Sequence, residues 1–163
     1  MTIAIRPAER TDLPLIAQLI RALAEYEKLA HEVRFDEAVL GRHLFGERPM
    51  AEVVIGELDG NAQGFALFFH NFSTFEGLPG IYLEDLFVQP EARGAGLGKA
   101  LLTHLAVLAA ERGCARLEWS VLDWNEPAIG FYKRLGARFM DDWTVMRVDG
   151  AALTNMANPL DRS

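Results

Sequence analysis

The sequence predicts an α/β fold built on one mixed sheet, and three observations predict it. Apolar runs rich in Val, Ile and Phe follow one another between residues 51 and 88, as adjacent strands do. The last of these runs leads through a glycine-rich loop into a helix-spaced segment and then another strand, which is a crossover. Helical spacing precedes the strands, between residues 13 and 29. Adjacent strands combined with one crossover make a mixed sheet with helices on its faces.

Each element has a local reason. "TIAIRPA" reads as a short first strand. Thr11 or Asp12 can cap the helix that follows, and Pro14 is tolerated in its first turn. Ile16, Leu19, Ile20, Leu23 and Tyr26–Glu27 keep helical spacing, which carries this helix to about Leu29. Asp36 can cap a second helix that runs to about Phe45. "AEVVIGELDGNAQGFALFFHNF" reads as two strands around the turn "DGNAQ", and "GIYLEDLFV" as a third. From Gly98 to about Arg112 a helix is expected, with Leu101, Leu102, Leu105, Leu108 and Ala109 on one stripe. "ARLEWSVL" follows as a strand. "NEPAIGFYKRLG" reads as a helix with Asn125 as N-cap, Pro127 in the first turn and Gly136 as its stop. "ARFMDDWTVMRV" has the composition of a final hairpin or bent strand.

Composition narrows the class. A chain of 163 residues fits one domain with a sizeable core. We expect that domain over residues 1–155, with 156–163 as a tail. The formal charge is −7, from 23 acidic and 16 basic side chains, which argues against sequence-independent nucleic-acid binding. No apolar run approaches the roughly 18 residues that span a membrane. "MTIAIRPAERTDLP" lacks the basic start and long apolar region of a signal peptide. With Cys114 as the single cysteine no internal disulfide forms, so a reducing, cytoplasmic compartment is expected. His31, His43, His70 and His104 show no metal-ligand spacing, and no metal is expected.

The informative stretch is "YLEDLFVQPEARGAGLGKALL". Its glycines lie between a predicted strand and a predicted helix, where unpaired N–H groups carry partial positive charge. A glycine-rich approach lets a phosphate come close to them. Two known phosphate loops do not fit. A Walker A loop requires glycine at position 93 and Ser or Thr at 100, which here are Arg93 and Ala100. The dinucleotide fingerprint requires glycine at position 99, which is Lys99.

What fits is Arg-x-x-Gly-x-Gly. "LFVQPEARGAGLGKALL" resembles the acetyl-CoA pyrophosphate loop of the GNAT N-acetyltransferase superfamily. The likeness extends along the chain through "LIRALAEYEKL", "YLEDLFV" and "VLDWNEPAIGFYKRLGA". These resemble the branch that acetylates spermidine, spermine, other diamines and thialysine. The resemblance implies a GNAT fold, with about six to seven strands and about four helices. It also implies acetyl-CoA as cofactor, a small-molecule amine as acceptor and a homodimer.

Roles carried over by the resemblance attach to particular positions. Tyr132 matches the general acid. Glu84 matches a glutamate that helps remove the amine proton through water. Tyr26 and Glu27 match acceptor-site residues, and Glu118, Trp119 and Ser120 lie along the acceptor-side strand. Leu86, Phe87 and Val88 match one cofactor segment. Arg93, Gly94, Ala95, Gly96, Leu97, Gly98 and Lys99 form the loop. Asn125, Glu126, Pro127 and Ala128 match a second cofactor contact. The likeness departs after Gly136, where the polyamine enzymes carry a longer acidic stretch than the compact "ARFMDDW". Asp141 or Asp142 would supply the carboxylate for a distal amine; we take Asp142.

The chemistry agrees with these residue types. A neutral amine, donors for the oxyanion and a proton for the departing thiolate are required. Glu84 or Asp85 serves the first. Strict strand alternation would put Glu84 with Tyr82, Leu86 and Val88, and Asp85 with Leu83 and Phe87. Backbone N–H groups near Leu86 serve the second. A phenol with the ordinary pKa of about 10 is protonated near neutral pH, so Tyr132 serves the third. No Ser–His–Asp grouping stands out, which favours direct attack in a ternary complex over a covalent route. Two other readings stay open: a GNAT enzyme acting on a protein N-terminus, a lysine or an aminoglycoside, and a non-catalytic acyl-CoA sensor.

Overall fold

The structure, a computed structural model, describes residues 1–158. It consists of two compact units, Met1–Leu122 and Asp123–Ser163, each described by itself.

In the first unit the elements are β1 (Ile3–Pro7), α1 (Leu13–Tyr26), α2 (Glu37–Phe45), β2 (Glu52–Leu58), β3 (Asn61–Ser73), β4 (Leu78–Val88), α3 (Leu97–Glu111) and β5 (Leu117–Trp119). The sheet order is β1-β2-β3-β4-β5. The first four strands pair antiparallel, and β5 pairs parallel to β4 after the α3 crossover.

The β2–β3 turn is tighter than the expected "DGNAQ". Asp59 and Gly60 alone make it, with φ of 50° and 83°. Two consecutive left-handed residues match the right-handed twist of the flanking strands, and Asp-Gly is a preferred pair for it. Asn61 to Gln63 therefore already belong to β3.

One face of the sheet carries α1 and α2. Ile16, Leu19 and Leu23 of α1 pack with Val53, Ile55, Phe65, Leu67 and Phe87 of the strands. The other face carries α3. Gly56 and Gly64 stand opposite one another in register. A Cβ at Gly56 would meet Leu97 Cδ1 at 2.9 Å, and one at Gly64 would meet the Phe87 carbonyl oxygen at 2.7 Å. The glycine pair is the seat that lets α3 approach.

Helix ends follow local chemistry. Asp36 accepts the Val39 N–H at 3.1 Å and caps α2, as expected. α1 ends three residues before the expected Leu29. Lys28 adopts φ of 61°. The Leu29 N–H then bonds the Ala24 carbonyl at 2.8 Å, and the Lys28 N–H bonds that of Glu25 at 3.1 Å. This double bond pattern closes a helix through a left-handed residue. It is usually glycine, so lysine gave no stop signal.

The second unit holds α4 (Glu126–Arg134) and α5 (Gly150–Ala157). The expected strand or hairpin over "ARFMDDWTVMRV" is not formed. Trp143, Val145 and Met146 are exposed, and the Trp143 N–H bonds only across a turn to Met140. Strand propensity requires a neighbouring half-buried surface, which these side chains lack. β5 is also shorter than "ARLEWSVL" suggested. Among the described residues the sheet therefore has five strands, fewer than the six to seven expected. Among the described residues α5 raises the α-helix count to five, and it overlaps the start of the expected tail; residues 159–163 of that tail lie outside the described residues.

Candidate active site

Across β3, Leu67 pairs with Asp85 but Phe68 pairs with Leu83. Glu84 is the extra residue of a β-bulge. The bulge overturns the expected alternation. Residues paired across a ladder share a face. Tyr82, Asp85 and Phe87 stand opposite Phe69, Leu67 and Phe65, on the face covered by α1. Leu83 and Leu86 stand opposite Phe68 and Ala66, on the α3 face. Asp85 thus shares its face with Tyr82, not with Leu83, and Glu84 follows neither set.

Pairing between β4 and β5 stops at Leu83 and Trp119, just before the bulge. Beyond it no strand among the described residues pairs with the outer edge of β4, which leaves that edge open. The Gln89 N–H bonds the Gln63 carbonyl at 2.8 Å, toward β3. N–H direction alternates along a strand, so those of Leu86 and Val88 point to the open edge.

Three carboxylates gather at the bulge. Glu27 caps the C-terminus of α1, and Glu84 and Asp85 come from β4. Glu84 is exposed, whereas Glu27 and Asp85 are partly buried. Burial pushes the Asp85 carboxyl up to about 7, and the charges of Glu84 and Glu27 add to the shift. Burial also raises Glu27, with Glu84 adding. Like charges in a partly desolvated site disfavour full ionisation.

Arg93 joins this region to the glycine loop. Its guanidinium lies 4.7 Å from the Tyr26 ring centre and 5.5 Å from that of Phe87. Its Nε donates to the Val88 carbonyl at 3.0 Å. The Tyr26 and Phe87 rings are 6.4 Å apart. Arg93 therefore braces the end of α1 against β4, a role the sequence did not signal.

In the loop, Gly94 and Gly96 have φ of 88° and 90°. The Ala100 N–H is the first to find an acceptor within α3, the Gly96 carbonyl at 3.0 Å. The N–H groups of Leu97, Gly98 and Lys99 have no partner within the helix. A Cβ at Gly94 would meet nothing within 4 Å, and one at Gly98 only an ordinary contact, 3.8 Å from Val88 Cγ2. The chain's own packing leaves the loop accessible, so its residues fit an anionic group approaching the backbone. Leu97 itself is buried, so only its backbone is available there.

On the β5 side, Glu118 accepts from Asn71 Nδ2 at 3.0 Å and pairs with Arg116 Nε at 2.8 Å. Ser120 lies 2.8 Å from the Tyr82 hydroxyl. That bond links β4 to the residue after β5, and Tyr82 was not anticipated. Trp119 ends β5 and is partly buried.

In the second unit Asn125 is buried and its side chain accepts the Ala128 N–H, which caps α4 as expected. Glu126 and Pro127 form the first turn. Tyr132 lies on α4 with its ring 5.5 Å from that of Phe131. Asp142 lies exposed in a turn. Among the described residues no group of three or more His, Cys, Asp or Glu is arranged to hold a metal ion. Nor is any described helix long and apolar enough to cross a membrane.

Comparison with known proteins gives consistent relatives. Residues 16–137 match the acetyltransferase (GNAT) family. The chain is 38% identical to the thialysine N-epsilon-acetyltransferase of Bos taurus, over 95% of this chain and 97% of that protein. It is 32% identical to an L-ornithine N5-acetyltransferase of Arabidopsis thaliana, over 91% and 85% respectively. Among solved structures, an integron cassette protein from the mobile metagenome of V. cholerae superposes with a TM-score of 0.79. Its sequence is 28% identical, and the match covers 96% of this chain and 98% of that one.

Proposed function

Because this chain belongs to the GNAT family of acetyltransferases, we propose that it acetylates a primary amine of a small cationic molecule. Polyamines, diamines and thialysine-like amino acids are the acceptor classes. The chain is an N-acetyltransferase; the acceptor and the residue roles are our reading. The observation that carries it is the run from Glu84 to Lys99. It joins a carboxylate cluster, suited to a cation, to an open strand edge and an anion-accepting loop.

When bound, acetyl-CoA supplies the acetyl group as a thioester. Backbone N–H groups from Gly94 to Lys99 hold the pyrophosphate. The edge from Leu86 to Val88 aligns the pantetheine arm, and Asn125 to Ala128 add a second contact. Backbone N–H groups near Leu86 would supply the hydrogen-bond donors for the thioester's carbonyl oxygen. Tyr26, Glu27, Glu84 and Asp142 receive the cationic acceptor, with Glu118, Trp119 and Ser120 along its side. Glu84 draws the amine proton through water, and Tyr132 donates one to the departing sulfur. Attack is direct, in a ternary complex. Residues 1–155 act as one transferase domain, in a cytoplasmic homodimer.

The test is mass spectrometry of thialysine, ornithine and spermidine incubated with the chain and acetyl-CoA. An N-acetyl product from one of them supports the reading, and intersecting initial-velocity lines support the ternary complex. Acetyl-CoA binding without any acetylated amine would refute it.

A further inference from the structure

Glu84 and Asp85 are neighbours in sequence, yet their surroundings differ. Glu84 is exposed at the bulge, where water reaches it. Asp85 is turned by the bulge onto the α1 face, beside Tyr82 and Phe87. Among the described residues no hydrogen-bond donor reaches its carboxyl. The groups facing it are Glu27 from α1, Glu84 and Tyr82 from β4, and apolar Leu67 from β3. Glu118 on β5 is held by Arg116, and the Arg93 guanidinium lies over Tyr26 and Phe87. A partly buried carboxylate without a donor and flanked by two others is a stronger base than an exposed one. Its partial exposure still leaves it reachable from solvent.

We propose that Asp85 is the group on which the acceptor's proton comes to rest, with Glu84 and water handing it inward. The inference rests on the acetyl-transfer reading above. The ammonium loses one proton to the Asp85 carboxylate, which leaves a lone pair on nitrogen. That pair forms the bond to the acyl carbon as the carbon–sulfur bond breaks. Sulfur takes its proton from the Tyr132 hydroxyl, and the phenolate recovers one from the nitrogen of the new amide. Asp85 then releases its proton to water. A base that titrates near the working pH suits this task.

Two measurements test it on the full chain. The first is kcat/KM against pH with thialysine and acetyl-CoA. The native profile should rise through about pH 7. Asp85→Asn should lower kcat on the order of 100-fold and flatten that rise. Asp85→Glu, which keeps the carboxylate, should restore most of the rate together with the rise. A folded Asp85→Asn enzyme with native rate and native profile would overturn the proposal. The second is a carbon-detected NMR titration of the free chain, with the Asp85 carboxyl assigned from the Asp85→Asn spectrum. It should titrate near pH 7 and move lower in Glu84→Gln. Titration together with the exposed aspartates would overturn the proposal without any turnover. Failure of the native chain to acetylate any amine would instead sink the acetyl-transfer reading, and this inference with it.

Discussion

The Arg93 guanidinium lies 4.7 Å from the centre of the Tyr26 ring. The contact fastens the last residue of α1 to the start of the glycine loop. An exposed cation–π pair contributes about 0.5–1 kcal/mol. A double-mutant cycle of Arg93→Ala and Tyr26→Leu, read by urea unfolding, should return coupling of that size. Additive effects of the two changes would mean that the brace does not operate.

Two glycines should separate packing from binding. At Gly64 a Cβ would lie 2.7 Å from the Phe87 carbonyl oxygen, so Gly64→Ala should cost about 1–3 kcal/mol. At Gly98 it would make only an ordinary contact at 3.8 Å. Gly98→Ala should therefore keep or slightly raise Tm, since alanine favours a helix by up to about 1 kcal/mol. It should weaken acetyl-CoA binding at least about tenfold, or about 1.4 kcal/mol, by calorimetric titration. Native affinity in this variant would contradict the loop assignment.

Asp85 also makes a prediction about stability. Its carboxyl sits at about 7 in the fold against 3.8 for the unfolded chain. A raised acid favours the protonated fold, so its contribution is fully present below 3.8 and lost as pH rises through about 7. Asp85→Asn removes that loss. Allowing for solvent screening, it should stabilise by about 2 kcal/mol at pH 8, or roughly 5 °C in Tm, and by little in acid. A lower Tm at pH 8 would contradict the sign.

Asp12 behaves in the opposite sense. Arg6 Nη1 and Nη2 donate to its two oxygens at 2.8 and 3.0 Å, and the Glu9 N–H adds a bond of 2.7 Å. The Arg6 hydrogen bonds are the main cause holding its carboxyl below the usual value. Its contribution is present above 3.8 and lost as pH falls through the lower folded value. Asp12→Asn should cost about 1–2 kcal/mol at pH 7, a penalty that disappears in acid. Urea unfolding at the two pH values checks this.

What the sequence showed was local chemistry. Asp36 and Asn125 cap helices because a short polar side chain can reach a free N–H. Asp59-Gly60 turns because both residues accept positive φ. The glycine loop was legible from its position between strand and helix. What stayed hidden depends on partners distant in sequence. Nothing in "YLEDLFV" marks Glu84 as a bulge, because a bulge is defined by the register against β3. Lys28 in a left-handed helix stop and Arg93 between Tyr26 and Phe87 are likewise set by tertiary contacts. "WTVMRV" misled in the other direction: its strand-forming residues lie exposed and form no strand, because propensity acts through a half-buried surface.

The most direct measurement is acetyl-CoA-dependent release of free CoA thiol across an amine panel. The panel holds thialysine, ornithine, lysine, putrescine, spermidine, spermine, an aminoglycoside and a short peptide. Saturable release with one class of small diamine or thialysine-like amine, and far weaker release with the peptide, is the predicted result. Release with the peptide alone, or none with any amine despite acetyl-CoA binding, would contradict it.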